Sequence, residues 1–431
     1  MTQMTKGSLG RKPLRHMVPA VQRTSHSLSR LDEPAADPGL WQLDPALTFL
    51  NHGSFGACPR AVLEFQSEIR RQMEREPVRF FQRELELLFD EARAALAGFL
   101  GADAADIVPV ANATQGVNTV LRSVRFAPGD EILVTDHEYN ATRNAAEYAA
   151  EMWGANVVVA HIPYPIGSAE EIVQAILGKV TVKTRFAVVD HVTSQTGLIF
   201  PIDRLAREFA ARGIELLVDG AHAPGMLPLQ LGELGVPYYT GNCHKWLCAP
   251  KGAAFLYVRK DRQERIRPLS ISHGANSPRT DRSRFLIEFG WTGTGDPSGF
   301  LSVPTAIRFM EALLPGGWPE VMARNHALAA SGRTVLCEAL EIDLPAPDDL
   351  FGALASVPLS DADAGVRREP PMFLDPLQDL LFHRERFEVP VVPWPAWPKR
   401  LIRISAQLYN SLPQYQRLAE IVRQATIRIQ K

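Results

Sequence analysis

The chain has 431 residues, a formal net charge of −2, and 46% hydrophobic against 22% charged residues. That is length enough for two domains with sizeable cores, and a charge balance with no bulk attraction to nucleic acid or to an anionic membrane. No apolar run approaches the ~20 residues that cross a bilayer, and Cys58, Cys243, Cys248 and Cys337 fall in no disulfide or metal-ligand spacing, so a reducing, cytoplasmic compartment and no metal are expected.

Up to Arg30 the chain is basic, with Lys6, Arg11, Lys12, Arg15, Arg23 and Arg30 and no acid before Asp32. It lacks the apolar core of a secretory signal, so residues 1–40 read as a basic, disordered tail; a transit peptide shares that composition. Residues 41–75 read as an N-terminal segment that joins a smaller domain and reaches the active site. Apolar residues at helical spacing predict helices over Ala61–Arg75 and Arg83–Leu100, the second stopped by Gly101. Short apolar runs predict strands at Ile107–Val110, Ile132–Thr135, Val157–Ala160, Phe186–Asp190, Leu216–Asp219 and Ala253–Val258. Between most of them lie helical patterns at Gln115–Val124, Asn140–Trp153, Ala169–Leu177 and Arg204–Arg212. Buried strands separated by such helices predict that residues 76–304 form a large α/β domain with a mostly parallel sheet. Residues 305–431 read as a smaller α+β domain. Its helices are Thr305–Leu314, Pro319–Leu340 and Gln414–Ile429, with β-like runs at Leu350–Val357, Val389–Val392 and Leu401–Ser405. Pro390–Pro398 reads as a stiff surface connection.

Two positions suggest chemistry. In Leu217–His222 an apolar strand ends in Asp219, followed by a small-residue turn and His222. Ligands of open α/β sheets bind beyond the carboxyl ends of the strands, so this acid is placed to face one; an acid capping the next helix would look the same. Lys245 sits between His244 and Trp246 in a stretch poor in charge. Partial desolvation there disfavours the ammonium form and yields the free amine that imine chemistry needs.

The strand-Asp-Gly-Ala-His element, followed by His-Lys-Trp at 244–246 and Pro-Lys-Gly at 250–252, resembles the class V aminotransferase family of pyridoxal 5'-phosphate (PLP) enzymes. The resemblance runs from about Leu50 to Leu418. It implies fold type I: a large domain with a seven-stranded type of mostly parallel sheet flanked by helices, and a smaller C-terminal α+β domain. It implies that Lys245 holds PLP as a Schiff base and that Asp219 keeps the ring nitrogen protonated. Opposite charges ~3 Å apart at an effective dielectric of ~20 attract by roughly 5 kcal/mol before desolvation, enough to decide that protonation. His222 is implied near the ring oxygen or the imine. The backbone of Ala113, Thr114 and the adjacent Gln115 match the phosphate turn at a helix N-terminus, although Asn112 or Thr114 could simply cap that helix. His244 matches another phosphate-side position, and Asn242 stands where many relatives have serine.

The segment Thr135–Ala141 would supply the residue stacked on the ring, either His137 or Tyr139, with Tyr139 favoured for its flat face and polar tip. His137-Glu138 is no zinc helix, because no second histidine falls at the required position. Ser194, with Gln195 beside it, matches the contact to the ring hydroxyl, and Thr294 the loop by which one subunit reaches its partner's phosphate. A homodimer with shared active sites is therefore implied. Arg403 resembles the arginine that grips the substrate carboxylate, a bidentate match that lysine cannot reproduce. Asn51 and His52 lie in the stretch that enters the substrate pocket, and Arg79 would add a second anion contact.

A cysteine desulfurase needs a nucleophilic cysteine shortly before the Arg-x-Ser strand, and the segment 382–403 has none; Cys58, Cys243 or Cys248 would have to substitute. The wording of 50–59 and 241–250 is similar to isopenicillin N epimerase-like members of the family. That resemblance implies racemisation or epimerisation at Cα of an amino acid bound as an external aldimine, with Lys245 taking the proton and Tyr139 or His52 returning one. A C–S or β-elimination lyase using the same lysine is the alternative, and a PLP-fold binding protein without catalysis is a third.

Overall fold

The protein is described from a computed structural model covering residues 31–363, 365 and 374–429. Residues 1–30 of the expected tail lie outside the described residues. The ten that follow are not tail-like. Ala35 is 3% exposed, the N–H groups of Ala35 and Ala36 both donate to the Leu408 carbonyl, and Arg324 donates to the carbonyl of Glu33. Composition could not show that these small residues have a matching surface more than 300 residues away in the chain, at Leu408.

Seven strands form the central sheet: β1 (Ile107–Val110), β2 (Glu131–Thr135), β3 (Asn156–Ala160), β4 (Thr184–Asp190), β5 (Glu215–Asp219), β6 (Tyr238–Asn242) and β7 (Ala254–Val258). Their order is β1-β7-β6-β5-β4-β2-β3. The run from β6 to β3 is parallel, and β7 is antiparallel to both β6 and β1. The central strands β4 and β5 are covered on both faces, which is why Phe186–Val189 and Leu216–Val218 read as unbroken apolar runs, whereas β3 at the edge is partly exposed. Strand β6 was not among the expected strands. Its Thr240-Gly-Asn end breaks the apolar run, yet all five residues are buried; Gly241 is needed because a Cβ there would lie 2.7 Å from the Phe255 ring.

A second, smaller sheet follows later in the chain. Strands β8 (Leu354–Leu359), β9 (Val391–Pro393) and β10 (Arg400–Ser405) form an antiparallel sheet in the order β9-β10-β8. The long helix Gly317–Leu340 and the last helix, Leu412–Ile429, pack together here. Val391–Pro393 therefore corrects the expected surface connection at 390–398: it is a paired strand, and Trp394 after it is only 9% exposed. Thr48–Phe49 pairs in parallel with Phe387–Glu388, which delivers residues 51–56 to the carboxyl ends of the central strands.

That delivery depends on Gly56. It has φ +71°, and a Cβ on it would lie 2.0 Å from the carbonyl oxygen of His244. Left-handed backbone and a backbone clash combine there. Gly56→Ala is expected to lower stability by about 2–4 kcal/mol in urea unfolding; a change within error would show that the two loops are not in tight contact.

Candidate active site

Lys245 lies on the connection between β6 and β7. Its Nζ is 2.9 Å from Nε2 of His222, whose Nδ1 accepts from the Trp246 indole N–H at 3.4 Å. An indole can only donate, so the neutral His222 ring carries its proton on Nε2. That N–H then faces Nζ, which can accept only as a neutral amine. The electrostatics agree. Burial, and then the nearby guanidinium of Arg403, lower the lysine to about 7, against the opposing pull of Asp219 and Asp190. Burial pushes His222 well below its ordinary value, with Lys245 and Arg403 adding to it.

Asp219 ends β5 and is 4% exposed. Its Oδ2 accepts from the Thr142 hydroxyl at 2.8 Å and its Oδ1 from the Ala221 N–H at 3.0 Å. Burial raises its pKa, while these donors act against the rise. At the opposite end of the site Arg403, on β10 and 5% exposed, has only neutral partners. It donates to Ser194 O at 2.6 Å and Ser54 Oγ at 2.7 Å, with longer contacts to Ser194 Oγ and Asn51 Oδ1. Burial lowers its pKa to about 10, and Tyr139 partly restores it. The site thus has a cation near one end, a carboxylate at the other and a neutral amine between them.

The expected phosphate turn is the N-terminus of helix Ala113–Ser123, capped by Asn112, which accepts from the Gln115 N–H. Asn242 Oδ1 accepts from the Ala113 N–H at 2.8 Å, which ties β6 to this helix end. Thr114 is partly exposed there. The Gln115 side chain is committed locally, accepting from the Ala111 N–H at 2.6 Å. Burial lowers His244 to about 4. Gln195 presents a buried amide oxygen with no partner. A helix N-terminus with Thr114 partly exposed in its first turn, a neutral lysine, a buried acid and an unsatisfied amide together fit PLP. Lys245 would hold the aldehyde carbon, Asp219 the ring nitrogen and the Ala113–Gln115 turn the phosphate.

Other expected residues stand elsewhere. His137 is turned into the core with both nitrogens engaged, by Thr196 Oγ1 at 2.8 Å and the Ile162 carbonyl at 3.0 Å, and it packs 4.3 Å from the Trp394 ring. Tyr139 is the exposed member of the pair, at 47%. His52, expected to enter the substrate pocket, is fully buried. It is held by the Tyr409 hydroxyl at 2.8 Å and the Lys245 carbonyl at 3.1 Å, and burial lowers it to about 3. It clamps the backbone of the lysine and has no free face. Asn51 is joined to Glu388 and to Ser54, so it steadies Arg403. Arg79 is at the surface, paired with Glu84 at 2.6 Å. Thr294 is exposed on a loop whose neighbours Thr292, Gly293 and Gly295 border a cavity of about 290 Å³ shared with Ala111 and Gln115.

Thr142, Ser54, Tyr409, Asp190 and Glu138 were missed. Only Thr142 left a trace, a hydroxyl in the first turn of the helix that follows β2. The others meet the site through contacts more than a hundred residues distant in the chain, or have no partner at all.

Comparison with known proteins gives the family. The model of the family described as aminotransferase class-V matches residues 57–363. An isopenicillin N epimerase of Amycolatopsis lactamdurans is 37% identical, the match covering 89% of this chain and 96% of that one. A probable chloroplastic L-cysteine desulfhydrase of Arabidopsis thaliana is 29% identical, over 88% and 83%. The solved cysteine desulfurase of Thermococcus onnurineus, at 19% identity, superposes with a TM-score of 0.72 and covers 89% of this chain and 95% of that one. Fold and site define a PLP-dependent enzyme of fold type I. The chain belongs to the class V aminotransferase family.

A lysine lowered in the folded state makes stability depend on pH. Between about 7 and its unfolded value the unfolded chain binds the extra proton, so stability rises with pH across that window, and below 7 the full penalty applies. Cofactor-free Lys245→Met is therefore expected to be more stable than the parent by at least about 2 kcal/mol at pH 6, the gain shrinking as pH rises through 7. Denaturant unfolding at several pH values measures it; a gain independent of pH would mean that the amine is not desolvated.

Proposed function

We propose that the protein moves a proton at Cα of an amino acid and epimerises it. The observation that carries this reading is the neutral Lys245 amine, fixed by His222 between Arg403 and Asp219. PLP, when bound, supplies an electron sink that lets a bond at Cα break heterolytically. Arg403 takes the substrate carboxylate, releasing Ser54 and keeping the Ser194 carbonyl that orients it. Asp219, steadied by Thr142, holds a proton on the ring nitrogen. Lys245, once free, accepts the Cα proton on one face, and the phenol of Tyr139 returns one on the other. Thr294, exposed on its loop, serves the phosphate site of a second copy in a homodimer.

The cysteines argue against persulfide chemistry, which needs an accessible thiolate. All four are buried. Burial pushes Cys58 up to about 12 and Cys337 to about 11, and raises Cys243 and Cys248 further. The relatives named for epimerase activity are more similar over this chain than those named for desulfhydrase activity, which supports epimerisation over elimination.

Incubation with candidate amino acids in deuterated water tests the reading. The expected product carries deuterium at Cα, inverted, with its skeleton and sulfur intact; keto acid with released thiol or sulfide would assign a lyase instead. Arg403→Lys is expected to raise KM by about 100-fold with a smaller change in kcat, since a charge-assisted fork is worth up to about 3 kcal/mol. Steady-state kinetics on the identified substrate provides the check, and an unchanged KM would remove Arg403 from the carboxylate.

A further inference from the structure

Two more acids are sealed in beside Asp219. Asp190 closes β4 in direct register with Asp219 on β5 and is 3% exposed; Glu138, in the loop after β2, is 6% exposed. Neither oxygen of either carboxyl has a hydrogen-bond partner. The backbone of Tyr139 approaches Asp190 and that of Thr135 approaches Glu138, neither completing a bond. Two cations face the group. Lys245 comes from the loop after β6, and Arg143 from helix Asn140–Trp153, where it also donates to the Thr135 carbonyl. Tyr239 on β6 faces Asp219 with its phenol neutral, raised by burial and by that carboxylate.

Three carboxyl groups at one strand edge, away from water, cannot all ionise, because desolvation and mutual repulsion both oppose it. Only Asp219 has donors for its oxygens, the Thr142 hydroxyl and the Ala221 N–H. The negative charge settles there. Burial, and then the neighbouring carboxylates, raise Asp190 and Glu138 well above the ordinary range.

We propose that Asp190 and Glu138 are protonated, neutral carboxylic acids at neutral pH and act as positioning residues, leaving Asp219 the single anion under the cofactor ring and the amine of Lys245 free of their charge. The link to the lysine is direct, since Asp190 and Asp219 are the two acids close enough to pull it back toward the ammonium form. Were Asp190 and Glu138 ionised as well, that pull would grow and the amine would be withheld from the aldehyde carbon it must attack. The role of the pair rests on the PLP reading above, but their protonation can be read without cofactor.

Infrared difference spectra of the cofactor-free protein at pH 7 provide the first test. The expected signal is the carbonyl stretch of buried protonated carboxylic acids, shifted in deuterated water, weakened in Asp190→Asn and weakened again when Glu138→Gln is added. Absence of the band in the unaltered protein overturns the proposal, and that measurement does not depend on a variant folding. The rate at which free PLP is captured, followed by absorbance across pH, tests the link to Lys245. Asp190→Asn exchanges one neutral side chain for another and is expected to leave the midpoint of that rise in place, whereas a midpoint moved to lower pH by about half a unit or more would show Asp190 ionised and overturn the proposal. If the unaltered protein captures no PLP at any pH, the cofactor reading fails while the infrared result still decides the protonation of the pair.

Discussion

A lysine amine removed from water is the constraint around which the rest of the site is arranged. Keeping Lys245 neutral requires a partner that can face Nζ without adding charge, and His222 meets it because Trp246 fixes its tautomer. It also requires that the backbone around the lysine not open to solvent. Gly56 allows the N-terminal stretch to close onto His244 and Lys245, and His52 bonds the lysine carbonyl from beneath. Arg403 contributes as a like charge that disfavours the ammonium form. Each of these groups comes from a different part of the chain, so the chemistry of one side chain depends on the closure of the whole fold.

The sheet supplies the geometry for this. Parallel strands end at one edge, and β4, β5 and β6 bring Asp190, Asp219 and the Lys245 loop to it in neighbouring positions. The antiparallel β7 returns the chain after Lys245, so the lysine loop is held at both ends by adjacent strands. On the other side β10 presents Arg403 with only neutral oxygens around it. A buried cation without a carboxylate partner is costly to keep, which supports the proposal that a ligand carboxylate pairs with it.

Much of this was legible in the residue order, and the reason is local. Asp219 at the end of an apolar strand and Lys245 among small residues are short motifs whose meaning survives without the fold. Where a residue's role depended on which way a loop turns, the sequence left the choice open. His137 and Tyr139 are two residues apart, and the loop after β2 buries the first against Trp394 while exposing the second. The strand β6 was hidden because its polar end is buried by β5, β7, Pro224 and the helix Ala113–Ser123, which come from elsewhere in the chain.

The sequence by itself pointed to the family and the cofactor and singled out Lys245 and Asp219 as candidates, because these rest on residue types at fixed separations. Only the tertiary structure decided their states. It placed Thr142 on Asp219, set Asp190 and Glu138 beside it without donors, and turned His52 from a pocket residue into a clamp. The physical reason is that charge state and hydrogen-bond partnership depend on distances between segments far apart in the chain. Composition and spacing carry no such distances; packing does.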